Sequence, residues 1–268
     1  MMSDKFASAS VYVITSAKTQ QRLPAILAEL KGVNANLEII RRFDSPQFPS
    51  HIFDSHLWNE HFVEIDSVQS ENLRALGFSD SQIINSIARD IRRRSLSPAE
   101  MSLSAKIVFA LNAFLAQGSD YAILVEDDLT RDPAKPSFSI AHELNKVIEF
   151  ARSEKADLID IGSLPIFDIK HAQNHRFVSA NSHGAFSRTS RLMTRSTCCF
   201  LVSRDLVSAI LKYKYIQSLP IDLHLQYLYE LVRVEDVKSF NGFWLTSGVL
   251  LNGSMAEKKT GIQTSIQD

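Results

Sequence analysis

The sequence predicts an α/β protein built on a mainly parallel β-sheet that is flanked by helices. Residues 11–40 follow a strand, helix, strand order, which favours parallel pairing. Residues 121–125 are apolar or aromatic throughout, which is typical of a strand covered on both of its faces. The composition, 45% hydrophobic and 22% charged, is that of an ordinary globular chain. These observations define the class before any single residue is considered.

The first elements follow from the spacing of apolar residues. Residues 11–14 form a short apolar run that predicts the first strand. Between residues 19 and 30, the apolar side chains recur at helical spacing, and residues 37–40 predict a second strand. Two prolines and scattered aromatic residues then indicate a loop-rich insertion over residues 45–78.

Capping signals mark the helices that follow. A capping box at Ser79 opens a predicted helix that ends near Arg94. Ser97, Pro98 and Glu100 open a second helix, which should run to residue 117 and stop at Gly118. Further along, we expect helices over residues 140–155, 204–214 and 219–232 and strands over residues 157–161 and 198–202. Neither an internal repeat nor a Gly/Ser linker interrupts the chain, so we predict a single domain over residues 1–268.

Overall charge and composition exclude some classes of function. The net charge of −1 argues against a nucleic-acid-binding protein. The first residues lack the apolar core of a signal peptide, and no apolar stretch approaches the roughly 20 residues that span a bilayer. We therefore expect a soluble, cytoplasmic protein. Peripheral contact with the inner membrane is compatible with this expectation. The adjacent Cys198 and Cys199 lie in a predicted strand and should fill the core, as suits a reducing cytosol.

The strongest functional signal is the acid run of Glu126, Asp127 and Asp128, which directly follows the apolar strand. Ligands of open α/β sheets bind outside the carboxyl ends of the strands. Carboxylates there suit Mn²⁺ or Mg²⁺ and, through the cation, a phosphate-bearing substrate. Because alternate residues of an extended segment face the same way, Glu126 and Asp128 should point together, with Asp127 on the other side, and a backbone turn at Asp127 would change that assignment. The competing interpretation is a solubilising turn.

Lys106 is the basic residue nearest to the acid run on the preceding helix. Met101, Ala105, Val108, Leu111 and Leu115 share one face of that helix, which predicts its buried stripe. Lys106 lies opposite the stripe, so a solvated lysine is the default expectation. Alternatively, Lys106 reaches an anionic ligand beside the acid run.

Two later segments carry further candidates. Arg188, Arg191 and Arg195 lie in a basic, Ser/Thr-rich segment that could clamp a diphosphate, or could be a solvated loop. Asp222 and His224 follow Pro220 at a predicted helix start. Asp222 is then either a helix cap or a general base, and His224 is a candidate cation ligand.

Taken in order, these segments resemble glycosyltransferase family 25, which includes bacterial lipooligosaccharide galactosyltransferases. The Glu-Asp-Asp run after its capped helix is the most specific block, and the shared order of the blocks carries the resemblance. The matching blocks are residues 11–15 with Arg22, Phe43 with Asp44, and residues 96–106, 124–129, 197–204, 219–222 and 261–266.

The resemblance implies a GT-A-like (Rossmann-like) fold and an inverting transfer of a hexose such as galactose. The donor would be a UDP-sugar, and the acceptor a lipopolysaccharide, lipooligosaccharide or capsular glycan, or a glycolipid. It assigns donor binding to a set of eight residues, Thr15, Arg22, Asp44, Lys106, Asp127, Arg188, Arg191 and Arg195. Glu126, Asp128 and His224 would hold Mn²⁺ or Mg²⁺, and Asp222 would be the catalytic base.

Two other functions stay open. Family members commonly carry a histidine after the residue that matches Lys106, whereas this chain has Ile107 there. A non-catalytic GT-A-fold protein that binds a glycan or nucleotide would accommodate that difference. A metal-dependent phosphohydrolase would also use carboxylates at strand ends.

Overall fold

A computed structural model of the chain describes residues 9–44, 98–131, 139–162, 178–183, 186–189, 198–212, 221, 225, 240–245 and 250–251. The predicted insertion over residues 45–78 and the helix predicted at Ser79 lie outside the described residues. So do four candidate site residues, Arg191, Arg195, Asp222 and His224.

The described part contains ten strands and four α-helices. The strands are β1 Ala9–Ile14, β2 Asn36–Ile40, β3 Tyr121–Glu126, β4 Thr130–Arg131, β5 Leu158–Asp160, β6 Val178–His183, β7 Phe186–Thr189, β8 Cys199–Ser203, β9 Gly242–Leu245 and β10 Leu250–Leu251. The α-helices are α1 Leu23–Leu30, α2 Pro98–Ala116, α3 Ile140–Glu154 and α4 Arg204–Ile210, and a 3₁₀ turn, Gln20–Arg22, leads into α1.

Eight of these strands form one mixed sheet in the order β2-β1-β3-β8-β5-β9-β7-β6. β1 pairs in parallel with β2 and β3, and β5 pairs in parallel with β9. β8 is antiparallel to β3 and β5, and β7 is antiparallel to β9 and β6. Six of the eight described strands therefore run in one direction, with only β8 and β7 reversed. The prediction of an α/β sheet flanked by helices is confirmed, and the sheet is mixed, with three parallel and four antiparallel pairings.

Helices cover both faces of the sheet, which is why β3 is apolar from Tyr121 to Val125. Ala122 and Leu124 face the layer that contains α2 and α4. Tyr121, Ile123 and Val125 face the layer that contains α1 and α3. Both sets are buried, because successive side chains of a strand point to opposite faces.

The buried face of α2 differs from the predicted one. Of the predicted stripe, only Leu111 is fully buried, and the helix instead buries Ile107, Ala110, Phe114 and Lys106. The expectation of a solvated Lys106 is therefore wrong. Since α2 is apolar on more than one side, residue spacing alone could not select the face that meets the sheet.

α2 also corrects the expectation that no segment is long and apolar enough to span a bilayer. At 19 residues, it is the one described helix that passes this test by length and composition. The core helix of a globular protein passes the same test, and α2 packs against the sheet.

Five of the ten described strands, β4, β6, β7, β9 and β10, were not predicted from the sequence, and two of them, β7 and β9, lie next to each other in the sheet. The segment interpreted as a basic loop contains β7, whose Phe186 and Ser187 are buried. β9 contributes Phe243 and Trp244 to the sheet next to β5. Both strands are short, and the arginine-rich composition around β7 masks its alternation.

Candidate functional site

The candidate site lies where the connections of the sheet diverge. From β1 the chain passes through α1 to β2 on one side, while β3 lies on the other side of β1. A crevice forms at such a switch point, outside the carboxyl ends of the strands, and ligands bind there in open α/β sheets. Three segments end at this crevice: residues 15–19, which we call the β1 loop, Phe43 with Asp44, and the acid run.

Asp127 is held against the β1 loop. Its Oδ2 accepts a hydrogen bond of 2.6 Å from Thr15 Oγ1 and another from Thr19 Oγ1. Its backbone N–H donates to Ile14 O at 3.0 Å. Thr15 and Thr19 are only 3% and 4% exposed, so these hydrogen bonds are almost inaccessible to solvent. Backbone and side chain together fix Asp127 on the β1 side of the turn.

The β1 loop closes on itself before the following helix. The N–H of Thr19 donates to Ser16 O at 3.1 Å, and the two hydroxyls lie 2.9 Å apart. The N–H of Arg22 then donates to Thr19 O at 2.9 Å, which starts the 3₁₀ turn. Arg22 thus follows the loop directly, on the crevice side of α1.

Lys106 connects the ends of β1 and β2. Its Nζ donates to Thr15 O at 2.7 Å and forms an ion pair with Asp44 Oδ1 at 2.6 Å. The other oxygen of Asp44 accepts a hydrogen bond from the N–H of Ala17 at 3.1 Å. Lys106 is 2% exposed, and a buried ammonium requires this kind of paired, hydrogen-bonded environment. Lys106, Asp44 and the β1 loop therefore form one connected unit.

The turn after β2 is held in an unusual conformation. Phe43 has a φ of 64°, in the left-handed region that an aromatic residue rarely adopts. α2 supports it, since Ser102 Oγ donates to Phe43 O at 2.5 Å and the rings of Phe43 and Phe109 lie 5.7 Å apart. This turn directs the carboxylate of Asp44 towards Lys106.

Asp128 faces Cys198, next to β8, whereas Asp127 faces the β1 loop. The N–H of Glu126 donates to Cys198 O at 2.8 Å, and Cys198 Sγ lies 4.0 Å from Asp128 Oδ1. Burial raises the pKa of the Cys198 thiol well above its ordinary value, and the carboxylates of Asp128 and Glu126 raise this pKa further. The carboxylate of Asp128 is thus close to the start of β8, and that of Glu126 acts electrostatically on the same thiol.

The chemistry of this side suits a hard divalent cation. Mg²⁺ is typically held by one or two carboxylates together with substrate phosphates, and Glu126 and Asp128 offer two. No group of three or more His, Cys, Asp or Glu side chains within the described ranges could hold a metal ion by itself. A cation here would depend on the substrate or on residues outside those ranges, such as His224.

The structure does not bring Arg188 to the acid run. The guanidinium of Arg188 donates to Asn241 Oδ1 at 3.1 Å and lies 5.6 Å from the ring centroid of Phe243. Asn241 precedes β9, and its N–H donates to Asp157 Oδ2 at the start of β5. These contacts lie at the amino edge of β9 and β5, whereas the acid run lies at the carboxyl edge.

Sequence analysis missed two residues of this network, Thr19 and Ser102. A signal was present for each. Thr15, Ser16 and Thr19 place three hydroxyls within five residues of an apolar strand. Ser102 and Lys106 are four residues apart, so they share one helix face, and that face proves to be buried.

Comparison with known proteins leaves the function to be argued from this geometry. No protein-family model matches the chain, and no curated protein matches it. Among solved structures, the protein A197 from STIV is 11% identical, with a TM-score of 0.43 over 90% of this chain and 83% of that one. A putative glucose-1-phosphate thymidylyltransferase from Bacillus anthracis, in complex with a sucrose, is 11% identical, with a TM-score of 0.31 over 88% and 87% of the two chains.

Proposed function

We propose that this protein is a glycosyltransferase of the family 25 type, which transfers a hexose such as galactose from a UDP-sugar. The acceptor would be a lipopolysaccharide, lipooligosaccharide or capsular glycan, reached by a cytoplasmic enzyme in peripheral contact with the inner membrane. One observation carries the proposal. The acid run lies at the switch point of the sheet, with Asp127 locked to the β1 loop and Asp128 facing Cys198 on the other side.

The two sides of the acid run support separate tasks. The β1 loop, Asp44 and Lys106 form the wall against which the nucleoside of the donor would bind. Mn²⁺ or Mg²⁺, held by Glu126 and Asp128 with His224, would offset the negative charge that develops on the departing diphosphate. Arg22, which follows the β1 loop, adds fixed positive charge at the carboxyl edge, and Arg191 and Arg195 are further candidates.

The reaction itself is a displacement at the anomeric carbon. The acceptor hydroxyl oxygen forms the new bond as the bond to the diphosphate breaks, and the nucleoside diphosphate leaves with the electron pair. Asp222 is the proposed base and takes the proton of the acceptor hydroxyl. Attack from the face opposite to the leaving group inverts the configuration.

A thermal-shift series tests the donor site. UDP and UDP-hexoses at about a hundredfold excess over Kd should stabilise the native state by about 2.7 kcal/mol, with Mn²⁺ present. For a domain of this size, that corresponds to a rise in Tm of roughly 5 °C or more. Asp128→Ala should lose the Mn²⁺-dependent part of the rise and the transfer activity, while keeping the Tm of the free protein within a few degrees.

The control variant is Ser153→Ala, on the exposed end of α3, whose hydroxyl bonds only within its own helix. It should respond to donors as the wild type does. A flat response of the wild type to every UDP-sugar would overturn the proposal. Full activity of Asp128→Ala, or full activity in excess chelator, would also count against it. Phosphate release from simple phosphoesters without any acceptor would favour a phosphohydrolase.

A further inference from the structure

The carboxylate of Asp127 is shared by two buried hydroxyls, and this arrangement separates it from its neighbours in the acid run. We propose that Thr19 and Asp127 are positioning residues, which lock the β1 loop to the acid run and leave cation binding to Glu126 and Asp128. This inference rests on the proposed function, because it assigns the parts of the same donor site. It makes Asp127 a hydrogen-bond acceptor for the protein itself.

Contacts at a single oxygen carry the first step. Thr15 Oγ1 and Thr19 Oγ1 both donate to Asp127 Oδ2, and both threonines are nearly inaccessible to water. A cation at Oδ2 would have to displace both hydroxyl protons. It would also leave two buried hydroxyls without acceptors, which is unfavourable. Oδ2 of Asp127 is thus already committed to the loop.

The same contacts orient the rest of the turn. The N–H of Leu129 donates to Glu126 O at 3.1 Å, so Asp127 and Asp128 occupy the middle of a closed turn. With Asp127 tied to the β1 loop, the turn presents the carboxylate of Asp128 towards Cys198, next to β8. Thr19, 108 positions away from Asp127, therefore helps to set the direction of this candidate ligand.

The β1 loop is also held from its other side. Lys106 binds Thr15 O, and Asp44 binds the N–H of Ala17. A loop that is already held by several hydrogen bonds loses little further conformational entropy when a ligand binds. Loss of the Asp127 contact should therefore weaken nucleotide binding even though Thr19 touches no ligand.

Conservative substitutions separate the role of an acceptor from that of a charge. An asparagine side-chain oxygen has two lone pairs and can accept both hydroxyls, so Asp127→Asn keeps the lock but removes the charge. Thr19→Val keeps the shape but removes the donor, and Thr19→Ser restores the donor. A matched control is Ser119→Ala, which breaks the buried 2.7 Å hydroxyl pair with Ser10 at the opposite end of β1.

The experiment combines calorimetric titration of UDP with hydrogen exchange of the free protein. Thr19→Val should raise the Kd for UDP roughly tenfold, as expected for the loss of a hydrogen bond to a charged group. It should also speed amide exchange at Ala17 and Thr19 by a similar factor. Thr19→Ser and Asp127→Asn should stay within about threefold of the wild type in both measurements, and Ser119→Ala should alter neither.

Asp127→Asn should keep the Mn²⁺ dependence of UDP binding, which Asp128→Asn should lose.

The outcomes distinguish the two proposals. If the wild type binds no nucleotide, the proposed function fails, while exchange in Thr19→Val still tests the lock. Unchanged amide exchange in Thr19→Val would show that the contact with Asp127 does not hold the β1 loop. Faster exchange with an unchanged Kd for UDP would show that the contact only stabilises the fold, and would overturn its role in binding. An Asp127→Asn variant that binds UDP as poorly as Asp127→Ala, or that loses its Mn²⁺ dependence, would show that the charge of Asp127 matters and would overturn the division of roles.

Discussion

Lys106 shows how a single charged side chain can organise a site from within the core. Its ammonium is almost fully buried, yet it has a carbonyl oxygen, Thr15 O, and a carboxylate, Asp44, within hydrogen-bonding distance. Burying an ammonium is costly unless its partners compensate for the lost water. The contacts of Lys106 therefore depend on the ends of β1 and β2 being in place, and each of those ends depends on Lys106.

Removal of this ammonium should destabilise the fold as well as the site. In Lys106→Met, the carboxylate of Asp44 and Thr15 O lose their shared partner, and the free energy of unfolding should fall by about 3 kcal/mol. The loss should lie at the lower end of the range for buried pairs, because Asp44 keeps 22% of its side chain exposed. Urea denaturation measures the change.

A double variant, Lys106→Met with Asp44→Asn, should recover part of this loss, since the unpaired charge is then gone. Lys31→Met, at an exposed lysine after α1, should stay within about 0.5 kcal/mol of the wild type. Equal destabilisation in the single and double variants would contradict the ion-pair explanation.

At the scale of elements, α2 is held at its carboxyl end by the first residue of α4. The guanidinium of Arg204 donates to Ser119 O at 2.8 Å, Leu115 O at 2.9 Å, Phe114 O at 3.0 Å and also to Gln117 O. The last carbonyls of a helix have no partner within the helix, and a cation there also meets the negative end of the helix dipole. Arg204 thus anchors the helix whose other half carries Ser102 and Lys106.

Arg204→Met should lower the free energy of unfolding by about 2 kcal/mol, because several partly buried carbonyls lose a charged donor. Arg204→Lys should recover less than half of this loss, since one ammonium cannot match the fork of the guanidinium. Urea denaturation gives both values. If Arg204→Lys were as stable as the wild type, charge alone would explain the contact. UDP affinity should stay unchanged in both variants under conditions where they are folded.

At the scale of the whole molecule, two buried thiols connect the stability of the sheet to pH. Cys198 and Cys199 lie at the start of β8, between the ends of β3 and β5. Burial raises the pKa of each thiol well above its ordinary value, and nearby carboxylates, Asp128 for Cys198 and Asp160 for Cys199, raise it further. Folding therefore keeps both thiols protonated, while the unfolded chain releases their protons above about pH 8.5.

The free energy of unfolding should consequently fall as pH rises beyond about 8.5, by up to about 2.8 kcal/mol per pH unit for the two thiols together. Above pH 10 the tyrosines should add to the slope, because burial raises the pKa of Tyr12 to about 12. Urea denaturation with chelator present, between pH 7.5 and 10, measures the effect. The Cys198→Ala/Cys199→Ala variant should flatten the profile over that range, and an unchanged slope in it would contradict the assignment to the thiols.

The sequence by itself determined the class of the fold and the edge of the sheet where the site lies. Apolar runs that end in polar residues mark the carboxyl ends of β1, β2 and β3, and parallel strands bring such ends to one edge. Asp127 could therefore be named as a candidate from the local pattern, whereas Thr15 and Asp44 were named through the resemblance of their segments to glycosyltransferase family 25. The start of α2 at Pro98 was equally local, since the residues that predicted it, Ser97, Pro98 and Glu100, are neighbours in the chain.

Tertiary structure alone decided how those candidates are used. Thr19 meets Asp127 across 108 positions, and Lys106 meets Asp44 across 62, so no local pattern records either contact. α2 is apolar on several sides, and only packing against the sheet selected the face that buries Lys106. Arg188 lies at the opposite edge because its segment forms β7 beside β9. Spacing reports which residues lie near one another along an element, whereas a site made from four separate segments depends on how the elements pack.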